Sequence, residues 1–391
     1  MKITVAIPTI AGRTNYLQSC LKTCVEQDYQ DLEILVSDNS PGAAEATVAA
    51  FRDSRIRYIR PDRYLPMSRH WDFIIPYMTG ELVTFIGDDD GLMPGAVREV
   101  AAIAARHGVQ PIQHTIAHYC WPDVAEPDRR NTFWFHQPPS SEEKVISCDD
   151  FLSKLCRCEV RYIDGPMVYH NFVPRQLLVD LARDGFVFHR ASPDVYTAVT
   201  VALNTPTFIS TGSVLTVAGE GAKSNGAQSR EGGEDAARFL KDMVAIDERP
   251  HCPLHTVGLA TLDSIHEAAL RYDRPDLRAR IRLPAFYASA LNECRGVHNP
   301  TMRRTRLRGV FAEAMSQGDF VGVLFEIGRR TLRTVLRSVS KAASDNGPWQ
   351  KPRSCSEEVH DVSSAATFAA EVLRSGEPRS SMHGIAGLPW R

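Results

Sequence analysis

The chain reads LVTFIGDDDG from Leu82 to Gly91, an apolar run that leads directly into three carboxylates between two glycines. The apolar run predicts a buried strand, and the glycines predict a turn where it ends. Neighbouring carboxylates repel one another unless a cation offsets their charge, and clustered oxygen ligands suit Mg²⁺ or Mn²⁺. Open α/β sheets bind ligands at the carboxyl ends of their strands. The segment therefore predicts a ligand site, with an acidic turn that caps a helix near Met93 as the alternative.

The residues around this segment alternate between β-branched runs and helical patterns. That alternation predicts parallel strands joined by crossover helices. The four predicted strands of the first hundred residues span 3–8, 32–37, 55–60 and 81–86. Further strands are predicted at 110–119, 207–210 and 214–217, and helices at 148–157 and 174–183. We therefore expect an α/β fold with a mixed, mostly parallel sheet and flanking helices.

The strand signals stop near residue 232, which predicts three regions. Residues 1–232 are expected to form the catalytic domain, and residues 233–341 a helical C-terminal region. Residues 342–391 turn to Ser, Pro, Gly and charge. We expect them to form a mostly disordered tail with one helical patch near 362–373.

Composition excludes several classes of protein. The 391 residues are 43% hydrophobic and 24% charged, which excludes collagen-like, disordered and multi-span membrane chains. The formal charge of -2 offers no general field for nucleic acid. The nine cysteines contain no C-x-x-C pair, and no apolar run is long enough to span a bilayer. We expect a cytoplasmic protein.

Three motifs in residues 1 to about 110 resemble those of family 2 glycosyltransferases, whose nucleotide-sugar-binding fold is called GT-A. Ile7–Thr9 followed by Arg13 resembles the strand-one motif, Val36–Ser40 the second-strand motif, and Gly87–Asp90 the aspartate-x-aspartate motif. Ser68–His70 is similar to the segment before the metal motif. The resemblance implies an inverting transferase that uses a nucleoside-diphosphate sugar, taken here as a UDP-sugar.

The resemblance also implies roles for individual residues. Asp38 would accept a hydrogen bond from the base, Asp88 would touch the ribose, and Asp90 would ligate the Mn²⁺ or Mg²⁺ that bridges the phosphates. The alternative is that Thr9 and Asp38 only cap helices. The implied donor-binding residues are Pro8, Thr9, Arg13, Asp38, Arg69, Asp88 and Asp89.

A polar, glycine-dense loop at Gly219–Gly226 is predicted to fold over the diphosphate. Its backbone N–H groups and Lys223 would then be the donors. The loop lacks the spacing of a P-loop, so ATP hydrolysis is not indicated. A plain surface loop is the alternative.

An inverting transfer needs a base for the acceptor hydroxyl. Ser192–Tyr196 resembles the family's base segment in position, but the Glu of the usual Glu-Asp pair is absent. Asp194 is the predicted catalytic base, with a helix-start role as the alternative. His189 and Asp184 are the next candidates.

The predicted function is sugar transfer to a hydroxyl of a glycan or lipid-linked acceptor in glycan assembly. No Q-x-x-R-W motif is present, which favours single addition over polymerisation. A nucleotidyltransferase and a non-catalytic sugar-nucleotide-binding protein are the alternatives. A Rossmann dehydrogenase is disfavoured because no G-x-G-x-x-G follows the first strand.

Residues 321–341 combine an apolar helical face with basic residues. The pattern favours a helix packed on the catalytic domain with a solvated basic face. The alternative is that the helix lies on anionic lipid, which would give peripheral contact with the inner face of the membrane.

Overall fold

The computed structural model describes residues 1–182, 184–190, 192–224, 256–297, 299–341 and 352–375, with the backbone alone for 333–341. The first of its two sheets contains the strands β1 (Ile3–Thr9), β2 (Leu32–Asp38), β3 (Ile56–Ile59), β4 (Leu82–Phe85) and β9 (Val173–Pro174). Their order is β3-β2-β1-β4-β9. β1 to β4 pair in parallel, and only β9 is antiparallel. The predicted α/β fold with a mostly parallel sheet is confirmed.

The first sheet is covered by helices, as its buried strands require. In α1 (Thr14–Val25), Leu17, Leu21 and Cys24 recur at helical spacing and are fully buried. A burial stripe of this kind is what makes a helix pack on a sheet. The remaining α-helices before residue 207 are α2 (Glu45–Ala49), α3 (Met67–Ile74), α4 (Ala96–His107), α5 (Cys148–Cys156), α6 (Arg175–Leu181) and α7 (Pro193–Leu203).

The second sheet contains β5 (Gly91–Leu92), β6 (Ile112–Cys120), β7 (Thr132–Phe135), β8 (Glu143–Ser147), β10 (Thr207–Glu220) and β11 (Arg353–Ser354). Its order is β11-β7-β6-β10-β5, and β8 also pairs with β10. The two strands predicted at 207–210 and 214–217 form the single strand β10, because register shifts at Val214 interrupt its pairing but not its course. β10 also pairs with β5, the strand that follows the acidic run. The end of β10 therefore lies next to the carboxylates.

The C-terminal region is helical, as predicted. Its helices are α8 (Val257–Arg271), α9 (Pro275–Ala279), α10 (Leu283–Arg295), α11 (Pro300–Ser316) and α12 (Phe320–Lys341). Leu259 and Ile265 of α8 share one core with Tyr196 and Val199 of α7. The predicted boundary near residue 232 lies outside the described residues, and the domain limits stay predictions. No helix in the described parts of the chain is long and apolar enough to cross a membrane.

The tail prediction needs correction for residues 352–375. The helical patch expected near 362–373 is present as α13 (Val362–Ser375), but it is packed and not loose. Val362, Ala365 and Ala369 are fully buried in the core that contains α1 and β5. The small apolar residues at helical spacing explain the close packing, which composition over the whole tail obscured.

Candidate active site at the ends of the parallel strands

Arg13 pairs with the first two carboxylates of the acidic run. Its Nε and Nη2 both lie 2.7 Å from Asp88 Oδ1, and Nη2 lies 3.1 Å from Asp89 Oδ2. Thr9, at the end of β1, donates its hydroxyl to Asp88 Oδ2 at 2.6 Å. The turn from β1 to α1 passes through Gly12, whose φ of 84° favours glycine. The parallel strands thus bring four predicted site residues together.

The charges of this cluster are strongly coupled. Burial disfavours the charged form of Arg13, but Asp88 and Asp89 more than offset it and raise the pKa of Arg13 above its usual range. Burial raises the pKa of Asp88, and Arg13 opposes that rise. An opposite charge at this distance stabilises the ionised form of a buried carboxylate and offsets the cost of its burial.

Asp90 lies deeper and is held by neutral donors. Its Oδ2 accepts hydrogen bonds from the Gly87 N–H and the Tyr169 hydroxyl, both at 2.5 Å. Its Oδ1 accepts from the Gly219 N–H at 2.8 Å. Burial, with the charge of Asp89 adding to it, raises the pKa of Asp90 to about 8. His170 Nε2 lies 3.4 Å from Asp90 Oδ2, and burial lowers the pKa of that imidazole.

The described part of the glycine-dense loop lies against the acidic run. Lys223 Nζ donates to the Gly12 carbonyl at 2.6 Å, and the Lys223 carbonyl accepts from Arg13. The Ser224 hydroxyl donates to the Asp89 carboxylate. A Cβ at Gly219 would lie 1.8 Å from the Asp89 carbonyl oxygen, so only glycine fits there. Residues 225 and 226, the rest of the predicted loop, lie outside the described residues.

Asp38 ends β2 beside Thr9 and is fully buried. Its Oδ2 accepts from the Ala44 N–H at 2.8 Å and from the Tyr58 hydroxyl at 2.9 Å. These bonds hold the turn that leads into α2. The contact of Asp38 with a nucleotide base stays a prediction.

Pro8 and Arg69, the remaining predicted donor residues, occupy different surroundings. Pro8 lies within β1, opposite Ser37 of β2. Arg69 Nη1 lies 2.9 Å from Asp72 Oδ2, and its guanidinium stacks 3.7 Å from the centre of the Phe186 ring. Arg69 thus contacts the loop before α7.

Asp194 is the second residue of α7 and interacts with two tyrosines. It accepts hydrogen bonds from the Tyr162 hydroxyl and the Val195 N–H, and it keeps part of its surface exposed. Burial raises its pKa, which makes the carboxylate a better base. Asp194 and Asp90 both act on Tyr169, whose pKa is raised first by burial and then by these carboxylates. The Val168 N–H donates to the Thr197 hydroxyl of α7 at 3.3 Å, so the start of α7 lies beside the segment that carries Tyr169, whose hydroxyl contacts Asp90.

His189 and Asp184 lie in the loop between α6 and α7. His189 Nε2 is 3.4 Å from Asp184 Oδ1, and Asp184 also pairs with Arg271 of α8. The neighbouring Arg190 pairs with Glu267 of the same helix. Ion pairs thus tie the segment before Asp194 to the C-terminal helices.

The chemistry of three adjacent carboxylates suits a divalent cation, but their arrangement here does not. Asp90 uses both oxygens to accept protein hydrogen bonds, and Arg13 lies where a cation would offset Asp88 and Asp89. Within the described residues, no group of three or more His, Cys, Asp or Glu side chains is arranged to hold a metal. Asp90 as a metal ligand stays a prediction.

Sequence reasoning missed Tyr162 and Tyr169, whereas His170 was weighed as a lone histidine on an extended segment. Tyr169 joins Asp90 to the surroundings of Asp194, and His170 faces Asp90 with a φ of 66°. Isolated tyrosines after an irregular segment carry no periodic signal. The positive φ of a non-glycine residue cannot be read from the chain.

A parallel sheet whose strands end in a cluster of carboxylates defines the class of α/β proteins that bind ligands at this edge. Residues 4–159 match the family model described as Glycosyl transferase family 2. Within this segment the chain is similar to family 2 glycosyltransferases, as the three motifs predict.

One curated relative shares sequence with part of the chain. It is the GalNAc(5)-diNAcBac-PP-undecaprenol beta-1,3-glucosyltransferase of Campylobacter jejuni, 35% identical over 100 residues. The matched segment covers 25% of this chain and 32% of that protein. The chain thus spans about a third of the length of this relative.

Two solved structures are similar in outline. S. aureus TarS 1-349 in complex with UDP-GlcNAc is 14% identical, with a TM-score of 0.48, over 81% of this chain and 92% of that chain. Mannosyltransferase PcManGT from Pyrobaculum calidifontis, in complex with GDP-Man and Mn2+, is 16% identical, with a TM-score of 0.40, over 88% of both chains.

Proposed function

We propose that this protein transfers a single sugar, with inversion, from a nucleoside-diphosphate sugar to an acceptor hydroxyl in glycan assembly. The observation that carries the proposal is the position of Tyr169 between two carboxylates. Its hydroxyl donates to Asp90, and Asp194 also raises its pKa. An inverting transfer requires the groups that bind the diphosphate and the base that activates the acceptor to reach opposite faces of the same sugar. The family match supports the same class of reaction.

In this proposal Asp194 acts on the acceptor. The acceptor oxygen attacks the anomeric carbon while the bond from that carbon to the diphosphate breaks, and Asp194 takes the hydroxyl proton. The raised pKa of Asp194 supports this role, because a stronger base accepts the proton more readily. Tyr162 orients the carboxylate through its hydrogen bond, and the N–H of Val195 holds it at the helix start.

Arg13 and Lys223 are the proposed partners of the leaving diphosphate. Both cationic side chains lie beside the turn between β1 and α1. Arg13 donates to the Lys223 carbonyl, and Lys223 donates to the Gly12 carbonyl. Positive groups at the place where charge develops stabilise the transition state. Pro8, Thr9, Asp38, Arg69, Asp88 and Asp89 complete the proposed donor site.

Dependence on Mn²⁺ or Mg²⁺ is proposed for the donor-bound state only. The described arrangement offers no open cation position, so no catalytic step is assigned to a metal. A diphosphate brings oxygen ligands of its own, and Mg²⁺ is often held by substrate phosphates with few protein carboxylates. A UDP-sugar is the proposed donor. The name of the Campylobacter relative supports a glycan or lipid-linked acceptor.

A donor screen tests the proposal. Nucleoside diphosphate release is measured with UDP-, GDP- and dTDP-sugars, in Mn²⁺ and in EDTA, with undecaprenyl-diphosphate-linked glycans as acceptors. We expect release with one donor group, faster in Mn²⁺. Tight nucleotide binding without release from any donor would favour the non-catalytic binding protein. Release of pyrophosphate from a nucleoside triphosphate would favour a nucleotidyltransferase.

A further inference from the structure

We propose that α12 and the turn before it dock on an anionic lipid surface. The surface, here called the apolar face, consists of Met315, Phe320, Val321, Leu324, Phe325 and Leu332. Their exposed fractions range from 37% for Phe320 to 78% for Val321. Large apolar side chains that are exposed together mark an interaction site, whereas single ones are ordinary. The proposal is independent of the sugar-transfer reaction.

The helix has two faces, and only one is covered by the protein. Val321, Leu324, Phe325 and Leu332 recur at helical spacing on the exposed side. Val323 and Glu326 are fully buried on the opposite side. Packing on the protein therefore explains the buried face of the helix. Among the described residues the apolar face stays largely exposed, although Phe320 at its edge contacts the Phe311 ring.

The covered face is anchored by charge, which fixes the orientation of the helix. The buried carboxylate of Glu326 pairs with Arg282 of the segment before α10 and with Arg329 and Arg330 of its own helix. Arg330 also donates to the Ala285 carbonyl at 2.9 Å. A rotation that buried the apolar face would break the contacts of Glu326 with Arg282 and of Arg330 with the Ala285 carbonyl, at a cost in free energy.

The charge around the apolar face selects the partner. Residues 301–341 contain nine basic and three acidic side chains, a formal charge of +6 in a chain whose total is -2. The rest of the chain therefore carries -8. Arg303, Arg304 and Arg308 of α11 are exposed. If a second copy covered the apolar face, the basic regions of the two copies would lie against each other and repel. Anionic headgroups attract such a region.

The proposed geometry is a helix lying in the membrane interface. A basic helix with one apolar face binds by inserting that face at the boundary of headgroups and acyl chains. The described helices include none that could span the bilayer. Contact at the surface is thus the mode that these elements allow.

Vesicle flotation of the full chain tests the proposal. We expect binding to vesicles of phosphatidylglycerol and phosphatidylcholine, little binding to phosphatidylcholine alone, and several-fold weaker binding when salt rises from about 0.1 M to about 0.5 M. Leu324→Ser/Phe325→Ser should weaken binding by about tenfold or more, because both side chains lose their apolar contact. Arg303→Gln/Arg304→Gln should weaken it by a comparable factor.

Leu270→Ser is the matched control, because Leu270 is 58% exposed on α8, outside the apolar face. It should float like the unmodified chain, and all variants should unfold at similar denaturant concentrations. Failure of the unmodified chain to bind anionic vesicles would overturn the proposal. Binding by Leu324→Ser/Phe325→Ser at full strength would also overturn it. So would a dimer in ultracentrifugation that this variant disperses, since the occupant would then be a second copy.

Discussion

Folded proteins usually expose charged side chains and bury large apolar ones. The acidic run buries three carboxylates, whereas α12 exposes large apolar side chains. Asp88, Asp89 and Asp90 are at most 5% exposed, whereas Leu324 and Phe325 are at least 50% exposed. Buried charges need partners, and exposed apolar clusters cost stability unless something covers them. The first region solves its problem inside the chain, through Arg13 and backbone donors. The second has no comparable cover among the described residues, and it is the surface of the proposed lipid contact. The difference teaches that the chain compensates its buried charges internally but leaves this cluster of large apolar side chains exposed.

The largest expected effect tests whether the buried region is catalytic. Asp194→Asn keeps the shape, the helix start and an oxygen for the Tyr162 hydroxyl, but removes the base. Turnover should fall by roughly 10²- to 10⁴-fold while donor affinity stays nearly constant. Steady-state kinetics and calorimetry measure the two quantities on one variant.

The control for this variant is its own stability, because Asn has the size of Asp and keeps an oxygen for the Tyr162 hydroxyl. Unfolding should therefore be unchanged. Near-wild-type turnover would reduce Asp194 to a cap. The search for a base would then return to His189 or Asp184.

The second prediction tests the internal compensation of the acidic run. Arg13→Gln leaves Asp88 and Asp89 buried without their cation, and should lower the free energy of unfolding by about 3–5 kcal/mol. Mn²⁺ should raise the melting temperature of this variant more than that of the wild type, because the carboxylates are then free for a cation. Chemical denaturation and calorimetry provide the measurements.

Lys154→Gln is the matched control for Arg13→Gln. Lys154 pairs with Asp150 at 2.7 Å, but both side chains are about half exposed. Its loss should change stability by less than about 1 kcal/mol. Equal losses of unfolding free energy in the two variants would mean that burial does not strengthen the ion pairs of Arg13.

The smallest expected effect concerns His70, a neutral group buried beneath the same site. Its Nε2 lies 2.8 Å from Ser37 Oγ, and burial lowers its pKa to about 4. An unfolded histidine binds its proton near pH 6.5, so the folded state loses stability as pH falls from about 6.5 to about 4. At about pH 5 the loss amounts to about 2 kcal/mol.

His70→Gln should remove this part of the pH dependence. The difference in unfolding free energy between wild type and variant should therefore shrink by about 2 kcal/mol between about pH 7 and about pH 5. The exposed His360 is the control, since His360→Gln should leave the pH dependence unchanged. A pH-independent difference for His70→Gln would contradict the prediction.

Local patterns were sufficient for the parallel half of the fold. The four parallel strands and α1 match their predictions because each buries a continuous run or a periodic stripe, which the chain records directly. The acidic run was predictable as a site for the same reason, since it follows a buried strand. The motifs also predicted the family.

The packed α13 was not predictable from composition, because its buried residues are small and lie within a polar tail. The partners of the acidic run were likewise decided by tertiary structure. Tyr169 reaches Asp90 from another part of the chain, and Gly219 reaches it from the end of β10. Such contacts depend on how strands distant in sequence are stacked, and no local period encodes that.

The sequence alone determined that residues 321–341 would form a helix with apolar and basic residues, because the helical period is local. It left open whether the apolar face packs on the protein or remains exposed. Tertiary structure decided this, because the buried carboxylate of Glu326 pairs with Arg282 from another segment. Pairing that carboxylate turns Val323 inward and leaves Leu324 and Phe325 outside, because a helix can direct only one face toward its neighbour.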